Sequence, residues 1–494
     1  VNKIKIQFSV FLLLSMLFLP GKVSAQAVSP SLNYDSLSYE QYLRKDWKAL
    51  LETAKLMQEK GIDYYYLRMR LGIASLATHN FIGAEKHFRQ ALIFNPGDQN
   101  AIAYLQKALS ANNKDVESGA LWPEMNTAGK ENSGLKDGFV PVSVHADVGA
   151  VFRNNTEGLS FEKLSGAQGI YGQERFYQDN LFYDAGFYFK TNPRWLLYGG
   201  FQWIDITATD RFAYLEPELA LESVAEDDFG KSYYYTLGFN PKTINFDHQL
   251  TQRSGYLQAA FGASTRLKFV GGLHVMKVNR NFSVSEEITL NLQDTSYFNK
   301  ITGEATLYNT SVSSLKFTTI PWQTNDYSLT LNSHLHLGKI TALAGVGLGS
   351  INDSSVFQLN AGWLFQPFGN INTYNQTEVF LVNTEGKSQW IFKSRVGVRP
   401  FKTTWLEAEI MAGRLNNLSD QYGYIVYNSP EKQNLRFEAT LSQSLTKKLL
   451  LQLRYRFLDS EREYNSIDND GQSFITKTYQ IQSQTVIGGI KWIF

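Results

Sequence analysis

The sequence predicts a mixed, multidomain chain: a short N-terminal α-helical module followed by a C-terminal transmembrane antiparallel β-barrel. Three observations carry that expectation. From residue 140 onward the chain breaks into short segments in which apolar and polar residues alternate, the period of a strand with two different faces. These segments are joined by links that alternate between tight turns and long polar stretches. Beyond the N-terminus no run approaches the ~18 consecutive apolar residues of a membrane-crossing helix. Yet aromatic residues make up 14% of a chain whose mean hydropathy is −0.27, a combination that suits a membrane barrel.

Residues 1–25 read as an export signal. Lys3 and Lys5 form a positive start, residues 8–19 an apolar run too short to span a membrane, and Val23-Ser24-Ala25 a small-x-small cleavage site, so that the mature chain would begin at Gln26. Without three signal lysines the chain has 44 basic and 46 acidic residues, a net charge of −2. Nucleic acid is not an expected partner, because there is no basic patch or stripe. The chain has no cysteine, which excludes lipoprotein anchoring, disulfides and thiolate metal sites.

Residues 26–110 form the expected helical module. Its clearest unit, residues 65–98, places Leu71 and small Gly72 on a first helix, Ala84, Phe88 and Ala91 on a second, and Pro96 at the end. The small residues let two antiparallel helices approach, Phe88 fills the groove between them, and Pro96 cannot continue a helix. Trp47, Ala49, Leu50, Thr53 and Leu56 read as a helix of a degenerate preceding unit, and Ile102, Leu105 and Leu109 as a following or capping helix. Residues 111–139 have no period and are rich in Asn, Gly, Lys, Glu and Ser, the texture of a linker.

Residues 140–494 form the expected barrel. Residues 180–190 place Leu181, Tyr183, Ala185, Phe187 and Phe189 on one face. Residues 327–337 oppose Tyr327, Leu329, Leu331, Leu335 and Leu337 to Ser328, Thr330, Asn332, His334 and His336. Short links fall at 191–193, 264–266, 338–340, 400–402 and 445–448, and long ones at 153–179, 207–229, 281–323, 415–432 and 461–473, as periplasmic turns and extracellular loops alternate. Consistent parity gives about 16 strands: 140–152, 180–190, 194–206, 230–239, 242–250, 254–264, 266–280, 324–338, 340–351, 354–366, 371–384, 387–400, 402–414, 433–445, 448–460 and 480–494. The strand at 242–250 is the weakest, and dropping it with its partner gives about 14. Tyr183, Trp195, Trp203, Tyr327, Trp363, Trp390, Trp405 and Trp492 fall near strand ends, where interfacial girdles lie.

Charged residues on the faces away from lipid form a ladder across four strands: Lys393, Arg395 and Arg399; Glu407 and Glu409; Arg436 and Glu438; Arg454 and Arg456. An Arg or Lys facing lipid at the midplane would cost about 2–4 kcal/mol, so these point inward. They read either as a constriction that selects a solute or as an ion-pair network that stiffens the wall. His274, His334 and His336 share presumed inner faces, but no nearby carboxylate completes a metal site, and none is expected. The acidic loop at 212–230 and the run Asp468-Asn469-Asp470-Gly471 read as solvated loops. The latter resembles part of a calcium loop but has Ser466 and Lys477 where acidic ligands belong. No nucleophile, base and orienting group come together in the sequence, so an enzyme is not expected, nor is a cofactor.

Resemblances to known families complete the reading. The helical unit at 65–98 resembles a tetratricopeptide repeat, through Leu71, Gly72, Ala84, Phe88, Ala91 and Pro96. The final run, QIQSQTVIGGIKWIF, resembles the C-terminal assembly signal of outer-membrane β-barrels, through Gly489, Trp492 and Phe494. Signal, repeat module, linker and barrel together resemble YaiO-type barrel proteins and, more loosely, the porins of exopolysaccharide secretion. The resemblance implies the outer membrane of a Gram-negative bacterium, with the N-terminal module in the periplasm. It implies contact with outer-membrane lipid and lipopolysaccharide, the barrel assembly machinery as partner of the last strand, and a periplasmic protein docked on the module. The implied function is a conduit for a solute or polysaccharide in an envelope complex; the rival is a non-conducting scaffold or secretion-complex component.

Overall fold

The computed structural model describes residues 33–161, 169–467 and 474–494. The expected export signal and the calcium-loop-like run lie outside the described residues. The described chain divides into two compact units, one ending at residue 63 and the other beginning at residue 64.

The first unit contains α1 (Tyr34–Leu43) and α2 (Trp47–Glu59). Asn33 and Asp46 cap them, accepting from the amides of Ser36 and Ala49 and so satisfying donors with no partner inside the helix. Helix α2 buries Leu50, Thr53, Ala54 and Met57, an i, i+3, i+4, i+7 stripe. Leu56, named with Leu50 and Thr53 in the reading of this helix, is exposed.

The second unit opens with α3 (Tyr65–Ala77), α4 (Phe81–Phe94) and α5 (Gln99–Ala111). Helices α3 and α4 approach each other closely. A methyl group on Gly72 would collide with the ring of Phe88, and Phe88, Ala84 and Ala91 are fully buried. Their core continues through Ile102, Leu105 and Leu109 of α5. The stretch read as a linker is partly folded. It carries α6 (Asp115–Ser118), a 3₁₀ turn at Gly119–Glu124 and α7 (Thr127–Asn132). Leu121, Trp122 and Met125 from this stretch pack into the same core, where tertiary contacts replace the missing local period.

The strands that follow are β1 (Val140–Arg153), β2 (Ile170–Tyr177), β3 (Asn180–Asn192), β4 (Trp195–Glu226), β5 (Gly230–Gly262), β6 (Leu267–Asn299), β7 (Ala305–Leu337), β8 (Ile340–Ile351), β9 (Ser354–Phe365), β10 (Thr373–Thr384), β11 (Lys387–Phe401), β12 (Thr404–Gly413), the short pair β13 (Ser419–Asp420) and β14 (Ile425–Val426), β15 (Lys432–Ser444), β16 (Leu449–Ile467) and β17 (Phe474–Ile493). Among the described residues, 14 of them close an antiparallel barrel, sealed where β17 pairs with β1 from Ser143↔Ile493 to Arg153↔Ser483. Strand β2 is an extra segment that pairs β4 and β16 beyond the end of β3.

The count of about 16 is therefore corrected to 14. Residues 230–239, 242–250 and 254–264, read as three strands, are the single strand β5. Its pairing with β4 runs from Glu226↔Lys231 through Leu215↔Pro241 to Trp195↔Phe261. Asn240-Pro241 reads as a turn in sequence. Here it lies between residues 232 and 251, where β5 is unpaired on its β6 side and a strand edge tolerates proline. The links at 207–229 and 281–323 are likewise mostly ribbon, built by continuation of β4 with β5 and of β6 with β7.

The two faces of the wall follow the alternation. On β7, Tyr327, Leu329 and Leu331 are exposed outward while Ser328, Thr330 and Asn332 are buried inward. Val148, Leu257, Leu348, Trp363, Leu453 and Ile490 continue the exposed apolar exterior around the ring. A contiguous belt of this kind is suited to lipid, and barrel closure leaves no unpaired edge within it.

Candidate functional site in the barrel lumen

The turns β3–β4, β5–β6, β7–β8, β11–β12 and β15–β16 lie at one end of the barrel; the long ribbons lie at the other, where β8–β9 and β10–β11 also turn tightly. The helices from α3 onward pack against the first of these ends. Ile82 N–H donates to the Gly369 carbonyl (2.9 Å), and Asn370 donates to the carbonyl of His79 (2.9 Å). Arg89 reaches the Thr265 carbonyl at 2.9 Å, and Asn112 meets Gln366 at 3.2 Å. Glu117, 1% exposed, lies 2.7 Å from His336 and 3.7 Å from Lys268. Burial alone would raise the Glu117 pKa, but Lys268 and the His336 hydrogen bond win and hold it at about 2. Glu85 is held low in the same way: burial opposes ionisation, but Lys114 (2.8 Å) and Arg89 (2.7 Å) outweigh it. Two glycines permit this approach. A β-carbon on Gly119 would strike the Pro193 carbonyl, and one on Gly262 the Val116 carbonyl.

From the ribbon end, the link between β12 and β15 folds into the lumen. The sequence reading of 415–432 as an ordinary outer loop is corrected on this point. Its base packs Leu415, Leu418 and Tyr427 against Ile351, Val356, Phe380, Val382, Ile391 and Met411, inward-facing apolar residues of β8 to β12. Its tip then crosses to the far walls. Ser419 and Gln358 exchange two hydrogen bonds (2.9 and 3.0 Å). The Tyr422 carbonyl accepts from the hydroxyls of Thr330 (2.6 Å) and Tyr256 (3.0 Å). His274 Nδ1 contacts the Gly423 carbonyl at 2.8 Å, and the Tyr424 hydroxyl donates to Asp184 at 2.5 Å. Gln421 and Tyr422 sit at φ 51° and 63°, a left-handed conformation unfavourable for residues with side chains and sustained here by these contacts.

The loop is tied into the charged ladder. Lys393 Nζ lies 2.5 Å from Asp420, 3.8 Å from Glu409 and 3.9 Å from Glu378. Arg436, fully buried, bonds Glu409 and the Tyr427 hydroxyl, and lies 3.8 Å from Asp420. Burial opposes ionisation of Asp420, but Lys393 and Arg436 prevail and hold its carboxyl below the usual range. Burial and the Asp184 charge push the Tyr424 hydroxyl well up, so it stays protonated and can donate.

Of the residues expected in the ladder, most meet as cross-strand pairs: Arg395 with Glu409 (2.5 Å), Arg456 with Glu438 (2.8 Å), and Glu407 with the Tyr374 hydroxyl. Arg454 pairs instead with Asp147 across the seam (3.2 Å). Arg399 departs from the expectation. A register shift in the β11–β12 pairing between Val398 and Phe401 breaks the alternation, and Arg399 is exposed, donating to the Lys402 carbonyl. The three histidines serve separate contacts: His274 with Gly423, His334 with the Tyr422 hydroxyl (3.1 Å), and His336 with Glu117, a carboxylate distant in sequence. In the last strand, Gly489 pairs Asp147, while Trp492 is exposed and Phe494 N–H donates to the Val142 carbonyl.

Within the barrel, beside the inserted tip, lies a cavity of about 410 Å³. Tyr188, Tyr198, Tyr256 and Tyr424 cluster on one side, with ring centroids 4.4–5.9 Å apart along Tyr188–Tyr198–Tyr424 and 5.3 Å between Tyr256 and Tyr424. Asn332, Gln358, Asn360 and Gln376 supply amides, and Glu378, Arg395 and Arg454 supply charge. The lining suits a polar, hydrogen-bonding solute. Sequence reasoning found Arg395 and Arg454 but missed Glu378, the tyrosines and Asp420; the segment that carries Asp420 and Tyr424 reads as a polar loop.

No family model matches the chain, and no curated protein matches it. Among solved structures, the toluene transporter TodX of Pseudomonas putida is similar at 8% identity and a TM-score of 0.37, covering 72% of this chain and 89% of that one. A FadL homologue of Pseudomonas aeruginosa is similar at 8% identity and a TM-score of 0.36, covering 78% and 93%. The translocator domain of the autotransporter NalP from Neisseria meningitidis is similar at 9% identity and a TM-score of 0.30, covering 78% and 98%. Likeness at this level carries no statement about what this barrel binds or moves.

Proposed function

We propose that the protein is an outer-membrane conduit of a Gram-negative bacterium, gated by its own inserted loop, which passes a polar solute or polysaccharide through the lumen. The closed barrel with its exposed apolar belt supports the membrane assignment. The observation that carries the gate is the buried contact of loop residue Asp420 with Lys393 on the wall. Such a latch can break without unfolding any wall strand, because each strand of the ring keeps its own backbone pairing. The helices from α3 onward face the periplasm in this reading, since they precede β1 and pack against the end where β3–β4, β5–β6 and β9–β10 connect. The module would dock a protein partner of the export complex.

Planar-bilayer conductance of the refolded full chain tests the reading. Wild type should be mostly silent, and replacing residues 415–430 by a short glycine-rich turn should produce steady channels. Removing residues 26–139 from that loop variant should raise conductance further. Silence in every form would sink the conduit and leave the second reading, a non-conducting scaffold. The buried ties between module and barrel favour that alternative, and in-cell crosslinking from the module would identify its partner.

A further inference from the structure

Strand β1 brings His145 and Asp147 to one face, two residues apart, and the β1–β3 register sets Asp184 directly opposite Asp147. Both carboxylates are nearly buried, at 8% and 6% exposure. Like charges directly opposite on neighbouring strands are destabilising, more so away from water. Against these two carboxylates the ion pairs described supply one permanent cation, Arg454, 3.2 Å from Asp147 Oδ2. Among the described residues, Asp184 meets His145 Nε2 (3.1 Å) and the hydroxyl of Tyr424 (2.5 Å), both at its Oδ1. One donor atom from each of His145, Asp147 and Asp184 falls within 4.8 Å of the others.

We propose that these three residues form a binding site for a divalent first-row transition ion, with Zn²⁺ as its probe. One imidazole and two carboxylates are a borderline-to-hard donor set that suits such an ion. Bonds of about 2.0–2.2 Å would draw the donors together to roughly the separation that His145 and Asp184 already show. The ion supplies the positive charge that the facing carboxylates lack. Arg454 holds the second oxygen of Asp147 in the manner of an outer partner that orients a ligating carboxylate. His145, Asp147 and Tyr424 line the lumen cavity, which gives an ion its route in and leaves a coordination position for solvent or solute. Tyr424, from the inserted loop, competes for the same oxygen of Asp184, so the ion binds where the loop touches the wall.

Isothermal titration of the full-length protein in detergent micelles, stripped with EDTA, provides the test. Wild type should take up Zn²⁺ with one ion per chain, and excess Ca²⁺ should not displace it. His145→Ala and Asp184→Asn should each weaken binding roughly tenfold or more, with heat-modifiable gel mobility showing that the barrel is folded. Tyr424→Phe leaves all three donors in place and should tighten binding by removing the competing hydroxyl. Absence of Zn²⁺ binding by wild type, or equal binding by wild type and the His145→Ala/Asp184→Asn double variant, would overturn the assignment. Equal affinity in Tyr424→Phe and wild type would overturn placement of the ion at Asp184 Oδ1. The measurement is independent of conductance, so failure of the conduit reading does not decide it.

Discussion

Lys393 Nζ, on β11, lies 2.5 Å from a carboxylate oxygen of Asp420, on the loop inside the lumen, and neither side chain is more than 4% exposed. Asp420→Asn removes this tie while leaving Lys393 near Glu378 and Glu409. Removing one partner of a buried pair costs about 3–5 kcal/mol. In this site the cost falls on the closed position of the loop, so the variant should show more frequent channel openings with the barrel intact. Unchanged single-channel traces would remove Asp420 as the latch.

Acid should act on the same tie. The Asp420 carboxyl is held below its usual value in the folded protein, so its contribution to the closed loop is present above the unfolded value and lost as pH falls through the folded one. Channel openings should therefore rise towards low pH in wild type and respond less in Asp420→Asn.

Docking of the helical module has its own pH dependence. Glu117 titrates at about 2 against an ordinary 4.5, so its stabilisation is complete above about pH 4.5 and fades towards pH 2. The shift corresponds to roughly 3 kcal/mol as an upper figure. Trp122 fluorescence and protease cleavage within 111–139 should report loosening over that window in wild type, and already at neutral pH in Glu117→Gln.

Close backbone approach sets a second constraint on docking. Gly119→Val places branched carbons against the Pro193 carbonyl, which belongs to a turn and cannot move aside as a side chain would. Overpacking of this kind costs about 1–3 kcal/mol. Protease sensitivity of the module should increase while heat-modifiable mobility of the barrel persists.

Arg436 and Arg399 should respond unequally to substitution. Arg436→Met leaves buried Glu409 and Glu438 with one guanidinium fewer and should cost about 3–5 kcal/mol in urea unfolding. Arg399→Ala, at an exposed position, should stay within about 0.5 kcal/mol.

Alternation by twos and the apolar rows by themselves determined that this chain builds an antiparallel barrel, which face of most wall strands points inward, and that Gly72 and Phe88 lie where two helices meet. Those features are local: a side chain two residues along a strand, or one helical turn away, shares a face whatever the rest of the chain does. Tertiary structure alone decided the rest. Pro241 is compatible with a continuous β5 only because the neighbouring edge there is unpaired. Arg399 leaves the ladder because of a register shift that no periodicity records. Asp420, Tyr422 and Tyr424 read as loop residues; the burial of Asp420 and the half-burial of the two tyrosines depend on partners contributed by distant strands. Asp147 and Asp184 stand 37 positions apart in sequence, and only the β1–β3 register sets them face to face. Long-range pairing places such groups together, and a linear pattern carries no record of which distant residues will share a wall.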